Sequence, residues 1–154
     1  MKNSKLDCRS NELGQGLVVV IILIALLGGG LWYLYSNKNA LEKDCRAFGK
    51  EAVERLAVNH DLNFFADRLG PQARYEYPPS QQQYIISKLV ELGTPAQPIA
   101  IEGTVSFESR FFEPKGYFVA KLNYPSRPAT LEILTSHPAS RWQIDEVKLN
   151  YGAQ

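Results

Sequence analysis

Residues 140–152 read SRWQIDEVKLNYG, and the period of this stretch decides what kind of fold the chain makes. Side chains of a β-strand point alternately to two faces, so residues of one parity share a face. Trp142 and Ile144 have one parity, whereas Val147, Leu149 and Tyr151 have the other. The phase slips at Asp145-Glu146. One extra residue there, a β-bulge, returns both sets to a single apolar face and bends the strand. A bent strand with one apolar face belongs to a curved antiparallel sheet.

Three more alternating stretches lie upstream. Ile99, Ile101, Val105 and Phe107 alternate with Ala100, Glu102, Thr104, Ser106 and Glu108. Phe118, Ala120, Leu122 and Tyr124 share a second face, and Leu131 and Ile133 a third. Turn residues separate the strands at Glu113-Pro114-Lys115-Gly116, Pro125-Ser126-Arg127-Pro128 and His137-Pro138-Ala139-Ser140, which predicts a four-strand antiparallel meander.

Before residue 99 the period is helical. Asn39 with Glu42 reads as an N-cap and its capping partner. Leu41, Cys45, Phe48, Ala52 and Leu56 follow at helical spacing, with Glu42, Lys43, Arg46, Lys50, Glu54 and Arg55 on the polar face. Asn59-His60-Asp61 interrupts this helix. Asp61 is placed to cap a short helix with the stripe Leu62, Phe65 and Leu69, stopped by Gly70-Pro71. A loop with Arg74, Tyr75, Tyr77, Pro78 and Pro79 comes next. Ser80 with Gln83 then reads as a second capping box, opening a helix that buries Tyr84, Ile85, Ile86, Leu89, Val90 and Leu92 and ends at Gly93. The expected fold class is α+β, with three helices packed on a curved four-stranded antiparallel meander.

Residues 17–35, LVVVIILIALLGGGLWYLY, form a run of nineteen residues without a charge. As a helix the run spans about 28 Å, against roughly 30 Å for a bilayer core. A secretory signal core is shorter and ends in small residues. This run ends in Trp32, Tyr33 and Tyr35, which suit the membrane interface, and Lys38 precedes Ala40 where a small residue is wanted for cleavage. Cys8 lies before the run, which excludes a lipoprotein cleavage site. The expected organisation is a polar tail over 1–16, a transmembrane helix over 17–35 in contact with lipid, a linker over 36–39 and a domain over 40–152. Lys2, Lys5 and Arg9 on one flank face Lys38, Lys43, Arg46 and Lys50 on the other, so the positive-inside count does not decide orientation. The common signal-anchor arrangement puts the N-terminus in the cytoplasm. Gly28-Gly29-Gly30 reads as a soft spot near the outer interface, with a self-association face as the alternative. Cys8 and Cys45 flank the run and cannot pair within one inserted chain. Cys45 is read as a free thiol, with a bridge in a homodimer as the alternative.

Lys plus Arg number 17 against 16 Asp plus Glu, with no basic run, which argues against nucleic acid as a partner. The only histidines are His60 and His137. His60 stands at a helix end, where the helix dipole accounts for it and capping accounts for Asp61. His137 precedes Pro138 in a turn and reads as solvated. Asp145-Glu146, the nearest carboxylate pair, reads as facing water. The sequence has no metal-ligand spacing, no glycine-rich phosphate loop and no nucleophile elbow. No catalytic residue and no cofactor are expected.

Three stretches, AVNHDLNFFADRLGP, PSQQQYIISKLVELG and SRWQIDEVKLNYG, together with the meander, resemble the nuclear transport factor 2-like (cystatin-like) family over about residues 40 to 152. The resemblance implies a cone of sheet closed by helices. Some members are isomerases or dehydratases with His/Asp pairs inside the cone; many are not catalytic, including small membrane-anchored bacterial proteins. The architecture is also similar to the bitopic assembly component of type IV secretion machines, whose outer domain is larger. What the resemblance implies here is a single-pass protein of a bacterial inner membrane. Its periplasmic domain would bind protein partners of an envelope complex. Arg74, Tyr75 and Tyr77 near the mouth of the cone, and Phe111 and Phe112 near the first hairpin tip, are the candidate contacts. The alternative is a small ligand inside the cone, which filling by Phe65, Leu89, Phe118 and Trp142 would oppose. The short basic leader ending at Gly16, the apolar helix and the four-strand sheet also resemble a type IV pilin. Pilins carry Glu five residues after that Gly; this chain has Ile21.

Overall fold

The computed structural model describes residues 10–109 and 112–151. The readings on Lys2, Lys5, Cys8, Arg9 and Phe111 lie outside the described residues. The chain forms two compact units divided between Asn37 and Lys38.

One helix, α1, runs over Ser10–Ala57 without a break. Residues 10–16 and 36–39, expected as part of a polar tail and as a linker, are helical. No Pro or Gly falls between Leu31 and Phe48 to stop the helix. Asn39 caps nothing because the preceding turn already supplies carbonyl partners to the N–H groups that follow. Within the first unit the large apolar side chains from Leu17 to Leu31 are all more than half exposed, Leu26 at 68%. By length and composition this part of α1 is a candidate membrane span.

The second unit is α+β. After α1 come α2 (Leu62–Arg68), α3 (Pro71–Glu76) and α4 (Pro79–Leu92). Four strands follow: β1 (Ala100–Phe107), β2 (Pro114–Asn123), β3 (Pro128–Ser136) and β4 (Gln143–Tyr151), with a 3-10 turn at Pro138–Ser140. They form one antiparallel meander in the order β1-β2-β3-β4. The bulge falls where the phase slip put it. Leu134 pairs with Glu146 and Thr135 with Ile144, leaving Asp145 as the extra residue. Ile144 and Val147, of opposite parity, are therefore both buried.

Asp61 caps α2 as expected, its Oδ1 accepting the Phe64 N–H at 3.0 Å. His60 before it is held at φ 51°, a left-handed conformation costly for a non-glycine residue. Asp61 N–H reaches back across this corner to Arg55 O at 2.9 Å.

Three expectations are corrected. Gly70-Pro71 is not only a stop, since Pro71 opens α3 where a loop was expected. Proline is preorganised for a first helical position and needs no N–H there. The Ser80/Gln83 capping box is absent for the same reason: Pro79 starts α4 with Pro78 as N-cap. It is the buried Gln82 that turns back, its Nε2 donating to Tyr77 O at 2.7 Å. Pro114 and Gly116, read as a turn, begin β2 instead.

The core lies between one face of the sheet and the helices. Leu56, Phe65, Leu89, Leu122, Leu131, Ile133 and Ile144 are fully buried. Phe118 sits at its tightest point. A Cβ at Gly49 of α1, Gly103 of β1 or Gly116 of β2 would collide with the Phe118 ring. At Gly116 it would also stand 2.7 Å from Cys45 Sγ and from Thr135 Oγ1. Three glycines from three elements thus leave the room that one aromatic ring fills.

A chain beginning at Lys38 is expected to be soluble and cooperatively folded, since it carries this whole core. Within it, Gly103→Ala is expected to lower stability by about 1–3 kcal/mol through overpacking. Adding Phe118→Leu should recover part of that loss. Urea unfolding of the two variants measures both effects.

Candidate functional site

The candidate contact residues divide by their partners. Arg74 is turned to its own fold. Its Nε donates to Leu69 O at 3.2 Å and a terminal nitrogen to Asp67 O at 3.4 Å, so it satisfies carbonyls at the end of α2. Tyr77 is also structural. Its hydroxyl donates to Val147 O at 3.0 Å and accepts from Val147 N–H at 3.2 Å, while its ring packs on Phe65. Gly70 N–H donates to Ile144 O at 2.9 Å. Together Tyr77 and Gly70 occupy the outer edge of β4 around its bulge. Tyr75, by contrast, is 87% exposed.

Phe112 is 49% exposed in the β1–β2 turn. Ser109 braces that turn, its Oγ accepting from Phe112 N–H at 3.2 Å and donating to Phe112 O at 3.1 Å. In the first unit Trp32, Tyr33 and Tyr35 are all largely exposed.

One site was not anticipated from the sequence. Tyr84 and Val90 were expected inside, and both are more than half exposed. The helical period carried the signal for Tyr84, which shares one side of the helix with Ser87, Lys88 and Glu91. Tyr84 instead rims a groove between α4 and the free end of β4, with Gln81, Lys88, Leu149 and Tyr151 around it and Tyr77 and Val147 at one end. Lys88 stands 5.9 Å from the Tyr84 ring and donates to Glu91 at 2.7 Å. The Glu91 carboxylate pushes the Lys88 ammonium up and is itself held below the usual range. Across the groove, the Arg127 guanidinium lies 4.3 Å from the Tyr151 ring centroid. The result is an aromatic groove with cationic rims beside a strand edge.

The other titratable groups are held as follows. His137, expected in solvent, is half-buried with its ring 4.3 Å from that of Trp142, which also stacks on Phe48. Nε2 of His60 is buried without a partner among the described residues. Asp145, expected in water, is half-buried and accepts from Gln143 Nε2 at 2.8 Å. Burial pushes the Cys45 thiol up, with Thr135 Oγ1 3.9 Å away as a weak counterweight. Among the described residues no three metal-binding side chains converge. Phe65, Leu89 and Phe118 are all buried, and Trp142 packs against the core cluster that contains Phe65 and Leu89.

Comparison with protein-family profiles, with curated proteins and with solved structures returned no match.

Tyr77→Phe is expected to cost about 1–3 kcal/mol, because it strips a partner from both backbone groups of Val147. Tyr75→Ala should stay within about 0.5 kcal/mol of the parent. Denaturant midpoints of the fragment from Lys38 separate the two. Tyr124 gives a pH test. It is 6% exposed, its hydroxyl has no partner among the described residues, and burial pushes its pKa up to about 12. Below the ordinary phenol pKa of about 10 both folded and unfolded states keep the proton, and Tyr124 gives no pH dependence. Between there and 12 only the unfolded state releases it, so stability falls as pH rises. Tyr124→Phe is expected to fold at least as well at pH 7 and to lose stability less steeply over that window.

Proposed function

We propose that this chain is a non-enzymatic, single-pass protein of a bacterial inner membrane whose extracytoplasmic domain binds protein partners within an envelope complex. In this reading residues 17–35 hold the chain in lipid with the N-terminus in the cytoplasm. The second unit is a nuclear transport factor 2-like cone whose interior is filled by its own side chains. The α4–β4 groove takes the partner.

The observation that carries the reading is this groove. Tyr84 at 52% and Tyr151 at 36% exposure flank a strand end whose backbone edge Tyr77 leaves open beyond Val147. Exposed tyrosines beside Arg and Lys are the composition that protein interfaces favour. An open strand edge lets an extended segment add to a sheet through main-chain hydrogen bonds. Tyr84, Lys88, Arg127 and Tyr151 join Tyr77, which lines one end of the groove, as the proposed contacts.

Two measurements test the proposal. The protein should remain with membranes after an alkaline carbonate wash; release would remove the anchor and the location with it. A photo-crosslinking amino acid at position 84 or 151 should capture a defined protein in native membranes, while one at Glu132 on the opposite sheet face should not. Equal capture at all three positions would sink the groove as the binding surface.

A further inference from the structure

The outer edge of β4 is open in one register. In an antiparallel ladder, successive residues of a strand turn their N–H and C=O groups alternately toward a neighbour and away from it. Val147 turns both of its groups away from β3, since its carbonyl accepts from the Tyr77 hydroxyl at 3.0 Å and its N–H donates to that oxygen at 3.2 Å. Lys148 and Asn150, in register with Glu132 and Thr130, therefore face β3. Leu149 and Tyr151 face outward, about 7 Å apart along the strand. Among the described residues no backbone group pairs with theirs on that side.

The side chains at 147, 149 and 151 line the groove beside α4. Those at 148 and 150 lie on the other face, where Lys148 pairs with Glu146 at 2.6 Å and Asn150 donates to Glu132 at 2.9 Å. A strand added along this edge would exchange main-chain hydrogen bonds with Leu149 and Tyr151, and Tyr77 would stop it at Val147. Every second side chain of that strand would stand in the groove beside Tyr84. The charges there are not balanced. Lys88 is held by Glu91 at 2.7 Å. Arg127 is half-buried over the Tyr151 ring, and among the described residues no carboxylate lies within ion-pairing distance of it. A half-buried guanidinium without a counter-ion favours a carboxylate brought by the ligand.

We propose that the groove binds an extended, acidic segment of a partner protein, added to β4 as a fifth strand with a carboxylate seated on Arg127. This rests on the reading of the α4–β4 groove as the partner surface, and adds the form and charge of what it takes. A helix laid in the groove would leave the outward groups of Leu149 and Tyr151 without main-chain partners. A basic segment would set like charge against Arg127. A second copy joined through its own β4 would bring residues 147–151, which carry no carboxylate.

The test places benzoylphenylalanine at position 84 of the full chain in its native membrane. The crosslink, mapped by mass spectrometry, is expected in another protein with Asp or Glu within about three residues of the attachment point. Arg127→Gln is expected to reduce capture about fivefold and Arg127→Lys to recover part of it. Leu149→Pro deletes an outward N–H and leaves the β3 ladder alone. It is expected to capture about fivefold less than Leu149→Ala, which keeps the N–H, when both match the parent in protease resistance. Capture that ignores Arg127→Gln, that is equal in the two Leu149 variants, or that joins two copies of this chain overturns the added strand and leaves the groove as a binding surface. Capture no stronger than from position 132 overturns the groove as well.

Discussion

The second unit is organised around the space that Phe118 fills. The ring lies where α1, β1 and β2 come closest, and the residues facing it are Gly49, Gly103 and Gly116. A methyl group on any of the three would push helix and sheet apart or force the ring out of place. Interiors are packed like organic crystals, so a displacement at this point would spread to its neighbours. The approach also buries Cys45 against Thr135 and brings Arg46 to the β1 edge.

A four-strand open sheet has two edges, and unpaired edges invite aggregation. The chain treats them differently. At β4 the outer edge is covered around the bulge by Tyr77 and Gly70, then left open from Val147 toward Tyr151. At β1 the Gly103 carbonyl is taken by Arg46. The open stretch of β4 coincides with the aromatic groove. Tyr77 links the two: the side chain that ties α3 to β4 also forms one end of the groove.

Much of this arrangement was legible from local pattern. The phase slip in residues 142–151 located the bulge because two parities cannot share a face without an extra residue. The Asp61 cap was legible because a side-chain acceptor just before an apolar stripe has one obvious use. The candidate contact residues and the groove were less so. Arg74 and Tyr77 are the types that bind partners, but their hydrogen bonds go to α2 and to Val147, far away in sequence. Tyr84 shares a helix side with Ser87, Lys88 and Glu91, a signal that the adjacent Ile85-Ile86 pair overshadowed. The six residues of α3 are too few to display a helical period, and Asn39 looked like a cap because its side chain cannot tell whether the preceding turn is already helical.

By itself the sequence determined the apolar run, the strands and their alternation, the bulge and the α2 cap. These depend on one residue and its near neighbours, through backbone geometry and burial periodicity. Only the tertiary structure decided that α1 is continuous, that three distant glycines accommodate one ring, and which tyrosine hydroxyl is spent on the fold. Each depends on which surfaces meet across long stretches of chain, and packing in three dimensions selects among residue patterns that are locally equivalent.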